Sequence, residues 1–569
     1  MKKNLLRAGI GLGAVCVAVV LSQVAQPAPP SLSEFVPAGP LLYLEAKDFG
    51  SLLSRWRASA EHKRWLASAN YSAFAQSHLF MRLNEVYDNY AGAAGFAPDA
   101  SMLESVAGSE SALALYDIGK LEFLYMTRLP SAKAVETVLW RSRANYTPRK
   151  AGGVDFYVRT DASGRVVAFA ATNDVLLLAT REDLIAGALE LMAHAQRNKM
   201  IDEGWFARPN RAAGGAGDLR LVMDFAALGR SPHFRSHWIQ RNVSLVLQYT
   251  SGISDLFLGA GAIREERLLF RAAPSSAESS ADTQPLAEAL RLVPDDAGFY
   301  RGWAGPEPGE TLALLTAKLL NPAVASAQRS PDLAPSTPRG ATAAGSEADL
   351  DTRIDEPEFP DDSGQLLPEA LQHLLSGDKL TAVVQVEETR AAADAVFIGT
   401  NRALVIVRRS AWDAAAVREA IVSGIEGMWT TTRLGAGWTE ENRGKVRYFA
   451  LDGLVPLAVG VEGNRLIVAN SQPLIERMLS RTNAPLPPNI GIYAAGFRHD
   501  REGRNFAVWM RQLDSVRAPV NASAAAPPQF LSQNLVSLSD TLSRVRSATI
   551  AAAEQGEAMK QTVTYELAP

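Results

Sequence analysis

Apolar residues along the chain alternate between strand spacing, every second position, and helical spacing, so strands and amphipathic helices are predicted to follow one another. One stretch organises the pattern. Asn173–Leu189 (NDVLLLATREDLIAGAL) reads as an apolar strand, a polar turn and an amphipathic helix, and Gly463–Leu479 (GNRLIVANSQPLIERML) repeats it. Leu176, Ala179, Leu184, Ile185 and Leu189 recur as Leu466, Ala469, Leu474, Ile475 and Leu479, all at an offset of 290. The repetition predicts one fold present twice.

In chain order, Leu41–Leu44 reads as a strand and Phe49–Ala58 as a helix with Leu52, Leu53 and Trp56 on one face. Phe80, Leu83, Tyr87 and Tyr90 fall at helical spacing as an aromatic stripe, read as core, with the lining of a ligand site as the alternative. Ala112–Tyr116 and Leu121–Arg128 predict a hairpin turning at Asp117–Lys120. Ser131 is placed to cap a helix Ala132–Arg143 with Val135, Val138 and Leu139 inward. Strands at Val154–Arg159, Val166–Ala171 and Val175–Ala179 have connections too short for parallel crossovers. The helix Asp183–Met192 and strands Leu219–Phe225 and Glu266–Arg271 complete the lobe. The expected class is α+β, two tandem repeated lobes, each a mainly antiparallel sheet with helices packed on one face.

The first lobe is assigned to residues 31–272, a linker to 273–285 and the second lobe to 286–569. In the second lobe Phe299 and Tyr300 parallel the first strand. Val396–Ile398 with Ala403–Val407 parallel the first hairpin, and Asp413–Ile421 the next helix. Lys445–Phe449 parallels the strand at Val154, Asn534–Leu538 resembles Asn242–Leu245, and Lys560–Leu567 parallels the strand at Glu266. An insertion at 321–365, rich in Pro, Ala, Ser, Asp and Glu, is predicted to be a disordered spacer. Between Arg329 and Asp362 it carries nine acidic and three basic residues, so the acidity of the chain belongs to this loop.

With 569 residues, 47% hydrophobic and 21% charged, the chain can bury more than one core. A net charge of -4 without a basic run removes the electrostatic case for a nucleic-acid partner. At the N-terminus Lys2, Lys3 and Arg7 precede an apolar run, Ala8 to Ala25. Residues 1–30 therefore read as a signal or membrane anchor followed by a Pro-containing tether. Uncleaved, the segment would leave the rest outside the cytoplasmic membrane. Cys16, the single cysteine, lies inside that run, so the folded part can form neither disulfides nor cysteine metal sites.

Motifs for chemistry are scarce. Gly108-Ser109-Glu110-Ser111-Ala112 approximates a nucleophile elbow but lacks its second glycine and the strand-turn-helix setting. Gly259-Ala260-Gly261 and Gly435-Ala436-Gly437 read as turns, not dinucleotide fingerprints. His233 and His237 stand four apart, yet Phe234 occupies the place of the glutamate found in zinc hydrolases. Asp117, Asp174 and Asp218 lie in or beside turns. No catalytic, cofactor-binding or metal residue is assigned. Trp205, Trp238, Trp303 and Trp438, in or near irregular segments, offer contact surfaces if exposed, although burial is the ordinary fate of tryptophan.

The strings LLYLEAKDFGSLLSRWRAS, ALALYDIGKLEFLYMTRLPSA, GVDFYVR and VLLLATREDLIAGALELM resemble a family of exported, membrane-anchored bacterial proteins of unknown function. That resemblance implies location and fold and brings no catalytic residues. The expected function is a non-enzymatic membrane-anchored envelope protein on the periplasmic side. It would bind an envelope protein or an apolar ligand between the lobes. The alternative is an exported hydrolase with a site in the same crevice.

Overall fold

The computed structural model describes residues 29–75, 78–97, 99–231, 248–272, 282–320, 369–391, 398–429, 438–443, 446–451, 456–487, 490–517 and 536–568. The first half contributes β1 (Leu42–Ala46), β2 (Ser111–Asp117), β3 (Glu122–Arg128), β4 (Thr147–Ala151), β5 (Val154–Thr160), β6 (Val166–Thr172), β7 (Val175–Ala179), β8 (Leu219–Asp224), β9 (Tyr249–Leu258) and β10 (Ala262–Arg271). The second contributes β11 (Phe299–Ala304), β12 (Leu380–Ala391), β13 (Ile398–Arg408), β14 (Trp438–Arg443), β15 (Val446–Leu451), β16 (Leu457–Glu462), β17 (Arg465–Ala469), β18 (Tyr493–Arg498), β19 (Val545–Gln555) and β20 (Ala558–Leu567).

These strands make one antiparallel sheet, and the class is α+β. From one edge the first half runs β4-β5-β6-β7-β3-β2-β1-β8-β9-β10. From the other edge the second runs β14-β15-β16-β17-β13-β12-β11-β18-β19-β20. The two orders correspond strand for strand. They meet where β10 pairs with β20, Glu266 standing opposite Thr562 at the middle of the ladder. Register corresponds as well: Ala168 faces Ala179 in the first half and Ala458 faces Ala469 in the second. Even the tight turns agree, since Asn173 and Gly463 both adopt positive φ at the first position of two-residue loops.

Helices used below are α1 (Phe49–Ala58), α2 (His78–Ala94), α3 (Ala100–Ser105), α4 (Ser131–Ala134), α5 (Val138–Arg141), α6 (Glu182–Met192), α7 (Gly204–Ala212), α8 (Gln284–Leu290), α9 (Pro308–Leu315), α10 (Glu369–Ser376), α11 (Ala414–Trp429), α12 (Gln472–Leu479), α13 (His499–Arg517) and α14 (Val536–Thr541). They pack on both faces of the sheet, which corrects the expectation of helices on one face. Successive side chains of a strand point to opposite sides, and near-continuous runs such as VLLLA in β7 are buried on both. Leu177 and Ala179 join Phe156, Leu184 and Ile185 in one cluster, on what we call face A. Leu176 and Leu178 join Phe169, Met102 and Leu139 in another, on face B. The second half repeats the division. Tyr448, Ile467, Leu474 and Ile475 cluster on face A, and Leu457, Val459, Leu466 and Val468 on face B.

Other expectations also change. The helix from Ala132 breaks into α4 and α5, because Thr137 starts a new turn by accepting from the Trp140 amide at 3.3 Å. Ser131 donates to the Asn173 carbonyl and does not cap. Leu139 is buried while Val135 and Val138 are exposed. β4 was not anticipated, since TPRKA is an exposed edge strand without apolar alternation. Nor was β9, whose small and polar residues interrupt the pattern. Ile398 and Ala403–Val407 belong to one long strand, β13, whose hairpin partner is β12 and not Val396–Ile398. The interval assigned to a linker ends inside a packed element, α8 beginning at Gln284.

Residues 1–28, the insertion at 321–365, Gly435-Ala436-Gly437, Asn242–Leu245, His233, His237 and Trp238 lie outside the described residues. Among the described residues no helix is long and apolar enough to cross a membrane.

Candidate functional site

The halves differ most on face B. In the second half α9, α10 and α11 send Leu312, Leu315, Leu371, Leu375, Val417, Ile421 and Ile425 onto the sheet, and all are buried. In the first half α1 has no buried residue. A groove of ≈ 970 Å³ lies there between the sheet and α1, α2 and α3. That volume is at the upper end of the roughly 300–1,000 Å³ common for small-molecule sites.

The groove floor crosses six neighbouring strands, β6, β7, β3, β2, β1 and β8, through Val167, Leu178, Phe123, Leu113, Leu44 and Leu219. Phe49, Tyr87, Tyr90, Met102 and Leu103 supply the other wall. Register shows how the two floors differ at β1 and β2 against β11 and β12. Leu44 pairs with Leu113 on β1 and β2, and the corresponding pair on β11 and β12 is Arg301 and Gln385. There the Arg301 Nε donates to the Gln385 Oε1 at 2.7 Å. Leu44 stays 37%, Tyr87 42% and Leu103 52% exposed. The aromatic residues expected as a core stripe on α2 thus border an open groove at Tyr87 and Tyr90.

Polar groups within the walls are mostly committed. The Ser111 hydroxyl is shared with Thr127 at 2.7 Å and accepts from Tyr125 at 3.3 Å, while the Tyr125 hydroxyl also donates to the Val106 carbonyl at 2.7 Å. Burial pushes the Tyr125 phenol above its ordinary value. Tyr90 is raised further, first by burial and then by nearby Tyr146, and its buried hydroxyl has no hydrogen-bond partner among the described residues. One end of the groove is polar, formed by the β2–β3 and β5–β6 turns and the end of β7. There Arg181 bridges Glu122 at 2.8 Å and Asp183 at 2.6 Å, and Lys120 and Arg165 reach the rim.

Among the described residues no catalytic arrangement accompanies it. Ser109 sits in a loop donating its amide to Arg128, and Ser111 belongs to β2, so the elbow-like sequence positions no activated nucleophile. A Ser–His contact occurs elsewhere: His499 Nε2 lies 2.7 Å from the Ser539 hydroxyl and joins α13 to α14. The charge cluster around Glu388 is taken up by ion pairs. Buried Glu388 accepts from Arg477 at 2.5 Å, Arg501 at 2.9 Å and Asn401 at 3.0 Å. Among the described residues no three or more His, Cys, Asp and Glu gather to hold a metal ion.

The turn aspartates act as the sequence suggests. Asp117 accepts from the amides of Gly119 and Lys120, and Asp218 from Leu258. Asp174 takes a further role, pairing with Arg128 at 2.9 Å. Three tryptophans proposed as contact surfaces are packed. Trp205 and Trp438 lie against buried clusters, as does Trp303, over which Arg301 stacks. Trp56, placed by the sequence on one helical face with Leu52 and Leu53, is 48% exposed. The groove itself was not visible in the sequence, although the Leu44/Arg301 and Leu113/Gln385 differences between the repeats held the signal.

No protein-family model matches the chain, and no curated protein matches it. Among solved structures, crystal form I of TP0453 is similar at 13% identity and a TM-score of 0.24, covering 44% of this chain and 81% of that one. Crystal form III gives 12% identity, a TM-score of 0.24, and 48% and 90% coverage.

Proposed function

We propose that this chain is a non-enzymatic, membrane-anchored envelope protein that binds an apolar ligand. It is a tandem duplication in which one copy keeps an open binding face and the other has become a scaffold. The observation that carries this reading is the contrast on face B: sealed by three helices in the second half, open over an apolar floor in the first. The matching strand orders and the equivalent pairs Leu177/Ile467, Leu184/Leu474 and Ile185/Ile475 support the duplication. Anchoring and the periplasmic side rest on the basic and apolar pattern of residues 1–30. The site lies within the first half, under α1 to α3, instead of in a crevice between lobes.

The purified full chain is titrated with N-phenyl-1-naphthylamine, whose fluorescence rises on leaving water. Saturable binding is expected, weakened by Leu44→Asp and Leu103→Asp, both at exposed positions that spare the core. Fluorescence unchanged by either substitution would refute the assignment of the site. For location, protease added to intact spheroplasts should digest the folded part; protection there would refute the topology.

A further inference from the structure

The groove has two chemically different ends. At one, the β2–β3 and β5–β6 turns bring Lys120, Glu122, Arg165 and Arg181 to the rim. At the other, Leu44, Phe49, Leu103 and Leu219 enclose apolar space. Six adjacent strands at ~4.8 Å spacing make the floor about 24 Å wide, enough for an extended long acyl chain.

The charges at the polar end are unequal in what they have left to offer. Glu122 is held by Arg181, whose guanidinium also serves Asp183. Asp161, the carboxylate near Arg165, accepts from the Ser163 hydroxyl and from the amides of Ser163 and Arg165. Asp117 is occupied by the amides of its own turn. Lys120 and Arg165 are exposed and have no ion-pair partner within 4 Å among the described residues. Glu85 on α2, the other carboxylate in the lining, is engaged as well, so the uncommitted charge at the rim is positive.

Resting on the groove as the binding site, we propose that its ligand is a long-chain amphiphile with an anionic headgroup. The chain lies over Phe123, Leu113 and Leu44, and the headgroup meets Lys120 and Arg165. A carboxylate and a phosphate monoanion share the required chemistry, since each accepts charge-assisted hydrogen bonds from an ammonium and a guanidinium.

The test uses the full chain and displacement of N-phenyl-1-naphthylamine by three probes of equal chain length: palmitate, 1-palmitoyl lysophosphatidylglycerol and the neutral 1-monopalmitoylglycerol. An anionic probe should displace the dye at lower concentration than the neutral one, with a preference that weakens as salt is raised. The double reversal Lys120→Glu and Arg165→Glu should weaken the preferred anionic probe about tenfold and leave the neutral one unchanged. Which anionic probe wins separates a fatty acid from a phospholipid headgroup. Equal displacement by all three, or a reversal that weakens the neutral probe as much, overturns the anionic assignment and leaves the apolar site standing. Failure of every probe, with dye binding insensitive to Leu44→Asp, overturns the site itself.

Discussion

Removal of Asp255 should open the centre of the sheet, on the strands that join the groove to the seam between halves. Asp255 on β9 faces Arg220 on β8 across the ladder. The carboxylate accepts from Arg220 Nε at 2.7 Å and Nη2 at 2.9 Å, and from the Gly217 amide at 3.0 Å. Both side chains are buried, and Arg220 Nη1 also donates to Asn210 at 2.7 Å. Asp255→Ala leaves a buried guanidinium without the carboxylate that it hydrogen-bonds, with only the Coulombic pull of Glu45 opposite it on β1, a change that costs about 3–5 kcal/mol in comparable buried pairs. Replacing both partners, Arg220→Met with Asp255→Leu, removes the unpaired charge. It strands only the Gly217 amide and Asn210, at about 1 kcal/mol each, so the double variant should lose about 2 kcal/mol. Hydrogen exchange measured by mass spectrometry on peptides covering β8 and β9 reads the difference. At 1.4 kcal/mol per decade, the single variant should exchange roughly two to three and a half decades faster. A single change that costs less than the double one would show that the pair is not desolvated as described.

Glu45 supplies a pH test. Burial, chiefly, holds its carboxyl above the usual 4.5; Glu110 and Asp255 add to the rise, while Arg220 and the hydrogen bond from Tyr43 oppose it. The folded state therefore binds this proton more tightly than the unfolded chain, and its stabilising effect is lost as pH rises through the folded value. Glu45→Gln, whose amide oxygen can still accept from Tyr43, should flatten that slope above about pH 4.5 and raise the melting temperature at pH 7; a lower melting temperature there would contradict the assignment. Leu177→Ala and Ile467→Ala, at equivalent buried positions, should each cost about 2–5 kcal/mol in denaturant titrations. A near-zero effect of either would break the proposed equivalence. Gly108→Ala would drive a methyl group into the Arg128 carbonyl and the Thr127 hydroxyl, beside the Gly50 amide that donates to Gly108 at 3.0 Å. It should cost about 1–3 kcal/mol and reduce dye binding, because this loop carries α1 to the groove; wild-type binding would show that α1 is seated otherwise.

Local pattern determined the elements whose side chains meet one continuous core. β6, β7 and α6, with β17 and α12 as counterparts of the last two, were legible because apolar residues at those spacings have no stable arrangement except burial. Their correspondence was legible too, since Leu177 and Ile467 hold equivalent register positions, opposite Met126 and Val405. β4 at the edge and β9 beside the seam were not. β4 is exposed and β9 carries small and polar residues, so neither has a periodic signature, and both are strands because a neighbour offers unpaired backbone groups. Burial of both faces was written in VLLLA, but which helices cover face B depended on long-range packing. The groove depended on it most. Leu44 and Leu113 read as strand residues and Tyr87 as part of a core stripe, one at a time. They border open space because α1 packs without a buried side chain over a floor that α9, α10 and α11 close in the other half, a difference in assembled layers that single-residue hydrophobicity does not encode.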